Sequence, residues 1–308
     1  MTGLLLLIVA AVATLALPGV LGHRLAGAAM AAVIPPPPAI GACVTSVSER
    51  AEIRPDARAD QRVAYPTAVL GSCAGAIAGE VMSVDLAEHR LDRATITTYQ
   101  ADSSKCQLAE VNYVGSIGPF DPDRLTEPSI AWEAPVSIES ISVGPSDFQR
   151  AAGQTWTACV GTGDAGTTYR GRIAQALRTG VLPSTFATCW RTLLSSTETQ
   201  DNEQHSPCTT PHSVELLGTT SINDPAATIA QIQKSCRGMA SRALRTPDPT
   251  RGGRLEISAY SLDGSSVLPL EAADLFTGHL GCVASIAPPE RLAGTLIGIE
   301  NRPLPLSG

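Results

Sequence analysis

Pro207-Cys208-Thr209-Thr210-Pro211-His212-Ser213-Val214-Glu215-Leu216-Leu217-Gly218 is the stretch from which the fold can be read. Two prolines bracket a cysteine-bearing turn, and a short apolar-rich run follows at residues 213–218, a strand candidate. Asp224-Pro225 then offers a capping acid with proline at the first helical position. From there Ile229, Ile232, Cys236, Met239 or Ala240, and Ala243 recur at three- and four-residue steps. They make one apolar helix face, and Cys236 lies on it. Residues 255–262 alternate Leu255, Ile257 and Ala259 against Glu256, Ser258 and Tyr260, a half-buried strand that ends at an Asp263-Gly264 turn. Gly281-Cys282-Val283-Ala284 returns as a further strand.

The same unit is legible earlier in the chain. Cys73-Ala-Gly-Ala-Ile-Ala-Gly-Glu80-Val81 also places a glutamate seven residues after a cysteine. The eight cysteines form two sets of four, Cys43, Cys73, Cys106 and Cys159, then Cys189, Cys208, Cys236 and Cys282, with gaps of 30, 33 and 53 and of 19, 28 and 46. The only two lysines, Lys105 and Lys234, stand one and two residues before the third cysteine of their sets, each early in a helix-like stretch. Gly171 and Gly294 both stand twelve residues after a fourth cysteine, and both tails then reach Leu-Pro, at Leu182-Pro183 and Leu304-Pro305. Four matches in one order predict a doubled module of roughly 120 to 140 residues rather than a solenoid. In the first copy Val136 and Ile138 open a strand whose phase shifts near Glu139-Ser140, a bulge or break, and residues 155–160 form the last strand. Residues 171–177 read as a short linking helix. The expected architecture is α+β: two tandem modules, 40–182 and 183–308, each a small antiparallel sheet with one main helix and two disulfides.

Pro207-Cys208-x-x-Pro211-His212-x-x-Glu215, then a helical Cys236, a strand and Cys282, resembles the septum formation family domain of secreted or membrane-anchored actinobacterial proteins. Cys73 and Glu80 match in the first copy, where Ala78 stands near the place of His212. The run from Pro145-Ser146 to Gly153-Gln154-Thr155-Trp156-Thr157-Ala158-Cys159-Val160 is similar to the family's closing stretch. The second copy lacks that tryptophan and has Leu280 two residues before Cys282. The resemblance implies a role at the cell envelope, in division or septum formation, and carries over no catalytic residue.

Residues 3–22 (GLLLLIVAAVATLALPGVLG) are uncharged and apolar or small, long enough as a helix to span about 30 Å. Pro35 to Pro38 favour a stiff spacer. Residues 1–34 therefore read as a signal anchor, with a cleaved signal peptide as the alternative: Ala26-Gly27-Ala28 could be cleaved, but no basic residue precedes the apolar run, and Arg24 follows it. This places the bulk of the chain outside the cytoplasm, membrane-attached or, after cleavage, secreted. The cysteines agree: eight, none in a C-x-x-C pair, behind an export segment, read as disulfides of an oxidising compartment. A net charge of −7, with 22 basic against 29 acidic residues, excludes a basic face for nucleic acid.

Chemistry is sparser. His212 with Glu215 is the best polar pair, read as a turn-capping group and as a candidate partner contact. His205 is the only nearby third ligand for a metal. Residues three apart in a strand fall on opposite faces, which argues against a shared ion. No G-x-S-x-G elbow occurs, and His23, His89 and His279 stand isolated. Asp121 and Asp123 fall in a loop, and Asp85 and Glu88 on the surface. Gly161-Thr162-Gly163-Asp164-Ala165-Gly166 reads as a connector rather than a phosphate loop. Each cysteine set permits three pairings. The expected one joins first to last, Cys43–Cys159 with Cys73–Cys106 and Cys189–Cys282 with Cys208–Cys236. The sequence thus predicts a non-catalytic envelope protein without cofactor or metal, binding another envelope protein or a cell-wall component. A cell-wall hydrolase is the alternative.

Overall fold

Strand β10 (Val214–Ser221) is buried along nearly its whole length because both of its faces are covered. The computed structural model describes residues 33–48, 62–86, 94–115, 130–163, 167–192, 205–222, 227–263, 266–270 and 278–307. Around β10 lie β8 (Thr188–Trp190), β9 (His205–Pro207), β11 (Leu255–Asp263), β12 (Ser266–Pro269) and β13 (His279–Ile286), in the order β12-β11-β13-β10-β8-β9. A first sheet is built from β1 (Cys43–Val47), β3 (Ala68–Gly71), β4 (Gly79–Asp85), β6 (Glu139–Val143) and β7 (Thr157–Thr162), in the order β3-β1-β4-β7-β6. A ribbon pairs β2 (Arg62–Val63) with β5 (Ala94–Thr95). All pairings are antiparallel.

Among the described residues, four α-helices complete the mixed α+β architecture: α1 (Ile96–Val114), α2 (Asp147–Ala151), α3 (Ala176–Thr179) and α4 (Ile229–Leu244). Helix α4 follows the expected apolar face, with Ile232, Cys236, Met239, Ala240 and Ala243 buried. It starts at a Thr228/Gln231 capping box, in which hydroxyl and amide each satisfy an otherwise orphaned N–H. Asp224-Pro225, the expected start, lies outside the described residues. Helix α1 is capped by Thr95 and buries Tyr99, Cys106 and Val114, while Leu108 and Val111 stay exposed. Lys105 and Lys234 lie in the bodies of these helices rather than at their beginnings.

Read from opposite edges, the two sheets run in the same order, β3-β1-β4-β7-β6 beside β9-β8-β10-β13-β11. Both central strands carry a register shift two residues past their glutamate. It falls between Val81 and Ser83, and between Leu216 and Gly218, beside Cys159 and Cys282 respectively. The expected break in the first copy is an exchange of partners. Val136 bridges Ala187 of the second half, and only from Glu139 does the chain join the first sheet.

Each sheet packs one face against a small cluster of its own. Val44, Val81, Ile141, Trp156 and Val160 cover the first, and Trp190, Val214, Leu216, Val267 and Val283 the second. The opposite faces feed one shared cluster containing Ile77, Met82, Ile173, Phe186, Leu217, Met239 and Leu280, inside a single compact unit, Pro36–Gly308. Trp132 Nε1 donates to Ser235 Oγ at 2.8 Å, and Glu133 bridges Thr219, so residues before β6 rest on the second sheet.

The eight cysteines form four disulfides, but the first-with-last pairing is corrected. The bonds are Cys43–Cys73, Cys106–Cys159, Cys189–Cys208 and Cys236–Cys282. β4 lies between β1 and β7, and β10 between β8 and β13. Two inter-strand spacings, roughly 10 Å, exceed the Cα separation a disulfide spans. The observed Cα separations are 5.1–5.3 Å. In each set one bond closes the edge turn onto the sheet and the other pins the helix to a central strand.

Among the described residues no helix is long and apolar enough to cross a membrane. Residues 3–22 lie outside them, as do Arg24, His23, His89, Glu88, Asp121, Asp123, Asp164 and Gly264.

Candidate functional site

Each sheet encloses a fully buried glutamate on its central strand, opposite a disulfide cysteine: Glu80 across from Cys43 and Glu215 across from Cys189. A carboxylate so placed must find donors inside the protein, and both find them on the segment that follows the last strand of the same sheet. Ile173 N–H donates to Glu80 Oε1 and Leu296 N–H to Glu215 Oε2, each at 2.7 Å. Ile173 stands fourteen residues after Cys159, and Leu296 fourteen after Cys282.

The two glutamates then diverge. Glu80 also accepts from Tyr113 Oη at 2.8 Å and Tyr169 Oη at 3.4 Å, and pairs with Arg172 Nε at 2.9 Å. Burial beside this carboxylate pushes the Tyr113 phenol up to about 12. Arg172 reaches on to the Gly41 carbonyl at 2.7 Å, so one carboxylate gathers β4, α1, the segment after β7 and the residues before β1. Glu215 adds the Thr295 hydroxyl and the Ile297 N–H, and no cation pairs with it among the described residues. Burial pushes its carboxyl up to about 7, against the lowering effect of its hydrogen bonds.

His212 precedes β10, where Pro211 and an antiparallel bridge to Leu292 hold it. It caps its own turn, as expected: Nδ1–H donates to the Thr210 carbonyl at 2.7 Å, which assigns the lone pair to Nε2. That atom is buried and has no partner among the described residues, and burial lowers the imidazole's basicity. The opposite-faces expectation is corrected. His212 lies outside the pleated strand, so alternation does not separate it from Glu215. One ligand atom each from Cys189, Cys208, His212 and Glu215 all lie within 4.8 Å of one another. Nor can His212 and Glu215 be a partner contact in this state, because both are wholly buried. With Cys189 and Cys208 bonded to each other, the donors left for a cation are His212 Nε2 and the carboxylate. His205 lies in β9, on the other side of the Cys208 turn.

In the first half Ile77, not Ala78, takes the place of His212. It lies three residues before the glutamate and bridges Tyr169 as His212 bridges Leu292. His279, expected to stand alone, faces Ser221 across the β10–β13 pair, Nδ1 to Oγ at 2.9 Å, on the exposed surface. The seven-residue cysteine-to-glutamate spacing was the available sign of the paired glutamates. Their donors, 33 to 93 residues distant, gave none.

Fold and site together define a disulfide-stapled α+β protein with two buried carboxylate hubs. No family model, curated protein or solved structure matches the chain.

Proposed function

We propose that this chain is a non-catalytic envelope protein of the extracytoplasmic side, held to the membrane by residues 3–22, whose halves are tandem copies of one septum-formation-like module. It binds another envelope protein or a cell-wall component, with a role in division or septum formation. The observation that carries the reading is the cysteine inventory: all eight are bonded and none is free, the condition of proteins matured in an oxidising compartment. The common strand order, the equivalent bulges and the paired glutamates support the duplication. Val69 and Leu70, 55% and 45% exposed on edge strand β3, support a binding role, since an open apolar edge is where another chain can add.

The reading is tested on the full chain expressed in a bacterial host with a C-terminal protease-sensitive tag. Intact cells are treated with an external protease, and lysates are alkylated without reductant before mass measurement. The expected result is a tag cut from outside, membrane fractionation of the chain and no alkylated cysteine. A protected tag with eight alkylated thiols overturns it.

A further inference from the structure

The second half holds a buried group of donors that its present state leaves incomplete. Cys189 and Cys208 bind only each other. Among the described residues Glu215 has no cationic neighbour, and the lone pair of His212 Nε2 meets no donor. The equivalent place in the first half is complete. Ile77 replaces the imidazole, and Arg172 with two tyrosine hydroxyls compensates Glu80. An imidazole at this one position converts an ordinary disulfide corner into a set of four donors.

We propose that opening the Cys189–Cys208 bond turns this corner into a tetrahedral site for a zinc-class divalent cation, bound by both sulfurs, His212 Nε2 and Glu215. A dithiol or phosphine reductant supplies two electrons to the sulfur–sulfur bond. A dithiol leaves as its own disulfide and hands its two protons to the sulfurs; a phosphine leaves as the phosphine oxide, with water supplying its oxygen and the protons of the two thiols. Metal binding displaces one proton from each thiol, and a third when the carboxyl holds one. Zinc accepts this donor set at 2.0 to 2.3 Å, which places donors roughly 3.3 to 3.8 Å apart. The group spans at most 4.8 Å, so a small contraction suffices, together with separation of the sulfurs. The imidazole is already oriented, since its other nitrogen donates to a backbone carbonyl, the support that metal-bound histidines ordinarily have. Entry is short: Thr209, Thr210 and Pro211, which join Cys208 to His212 along the chain, are exposed. Crosslink and metal exclude each other, so oxidation expels the cation. The inference does not rest on the proposed compartment or function.

The test uses the full chain, reduced with a water-soluble phosphine and titrated with Co2+, then with Zn2+. One equivalent of Co2+ is expected to give a thiolate-to-cobalt charge-transfer band and tetrahedral ligand-field bands, which Zn2+ bleaches. His212→Ile, which installs the residue of the first half, is expected to weaken the site by more than about a hundred-fold, beyond the loss of an outer-shell partner. The wild type supplies a reading independent of any variant: Zn2+ is expected to shield Cys189 and Cys208 from alkylation while Cys43 and Cys73 react. Equal reaction of all four cysteines, or unchanged cobalt bands in Cys189→Ser/Cys208→Ser, overturns the proposal.

Discussion

Glu215 is protonated more readily than a carboxyl in water, up to about 7 against an ordinary 4.5. The fold therefore favours its neutral form. Stability tied to this group is fully present below about pH 4.5 and is lost as pH rises through about 7. For the oxidised, metal-free protein we predict that Glu215→Gln is more stable than wild type at pH 8, by on the order of 3 kcal/mol, converging towards pH 4.5. Denaturant titrations at a series of pH values measure the difference. His212 acts in the other direction, its lowered basicity removing stability as pH falls below its ordinary 6.5. At Glu80 the dependence is on a cation: Arg172→Ala leaves the carboxylate buried without its ion pair. It is expected to cost about 1 to 3 kcal/mol by chemical denaturation, less than a fully buried pair because Arg172 is partly exposed. Both glutamates were legible through their spacing from a cysteine. Their partners Tyr113, Arg172 and Leu296 were not, because no local pattern marks a donor that arrives from another element.

Among the elements, α4 and β11 were the most legible, since each declares its buried face by its own period. The helix is capped at Thr228, where the capping box with Gln231 closes the first turn; Thr228→Ala is predicted to cost about 1 kcal/mol by thermal or denaturant unfolding. Helix α1 was less legible because Leu108 and Val111 put apolar side chains on its exposed side and blur the period. Disulfide pairing was not readable at all, because it depends on which strand lies between two others. The Cys236–Cys282 bond closes 46 residues and Cys189–Cys208 closes 19. In the chain-entropy account the losses are about 4 and about 3 kcal/mol. Cys236→Ala/Cys282→Ala is accordingly predicted to lower the unfolding midpoint more than Cys189→Ala/Cys208→Ala, a ranking that denaturation of the two double variants checks.

At the scale of the molecule, the two halves read from the sequence share one apolar cluster, and the shared surface could not be read in advance. Gly180 of the first half and Gly298 of the second come close together, both with positive φ. A Cβ at Gly298 would lie 2.2 Å from the Gly180 backbone. Backbone cannot yield as a flexible side chain does, and alanine is strained at such a φ. Gly298→Ala is therefore predicted to destabilise by more than about 2 kcal/mol, measured as a fall in the denaturation midpoint. Gly180 caps helix α3 in the left-handed region and Gly298 lies in a turn, so each has a local role that conceals the junction.

The covalent map has one more implication. Every sulfur is joined to the next one along the chain, so no bridge encloses another cysteine or links residues before 160 to residues after 188. During N-to-C emergence each ring can close as soon as its second cysteine appears, without a wrong partner having to be exchanged later. A single backbone cut between Cys159 and Cys189 would then release two separate pieces on a denaturing gel run without reductant.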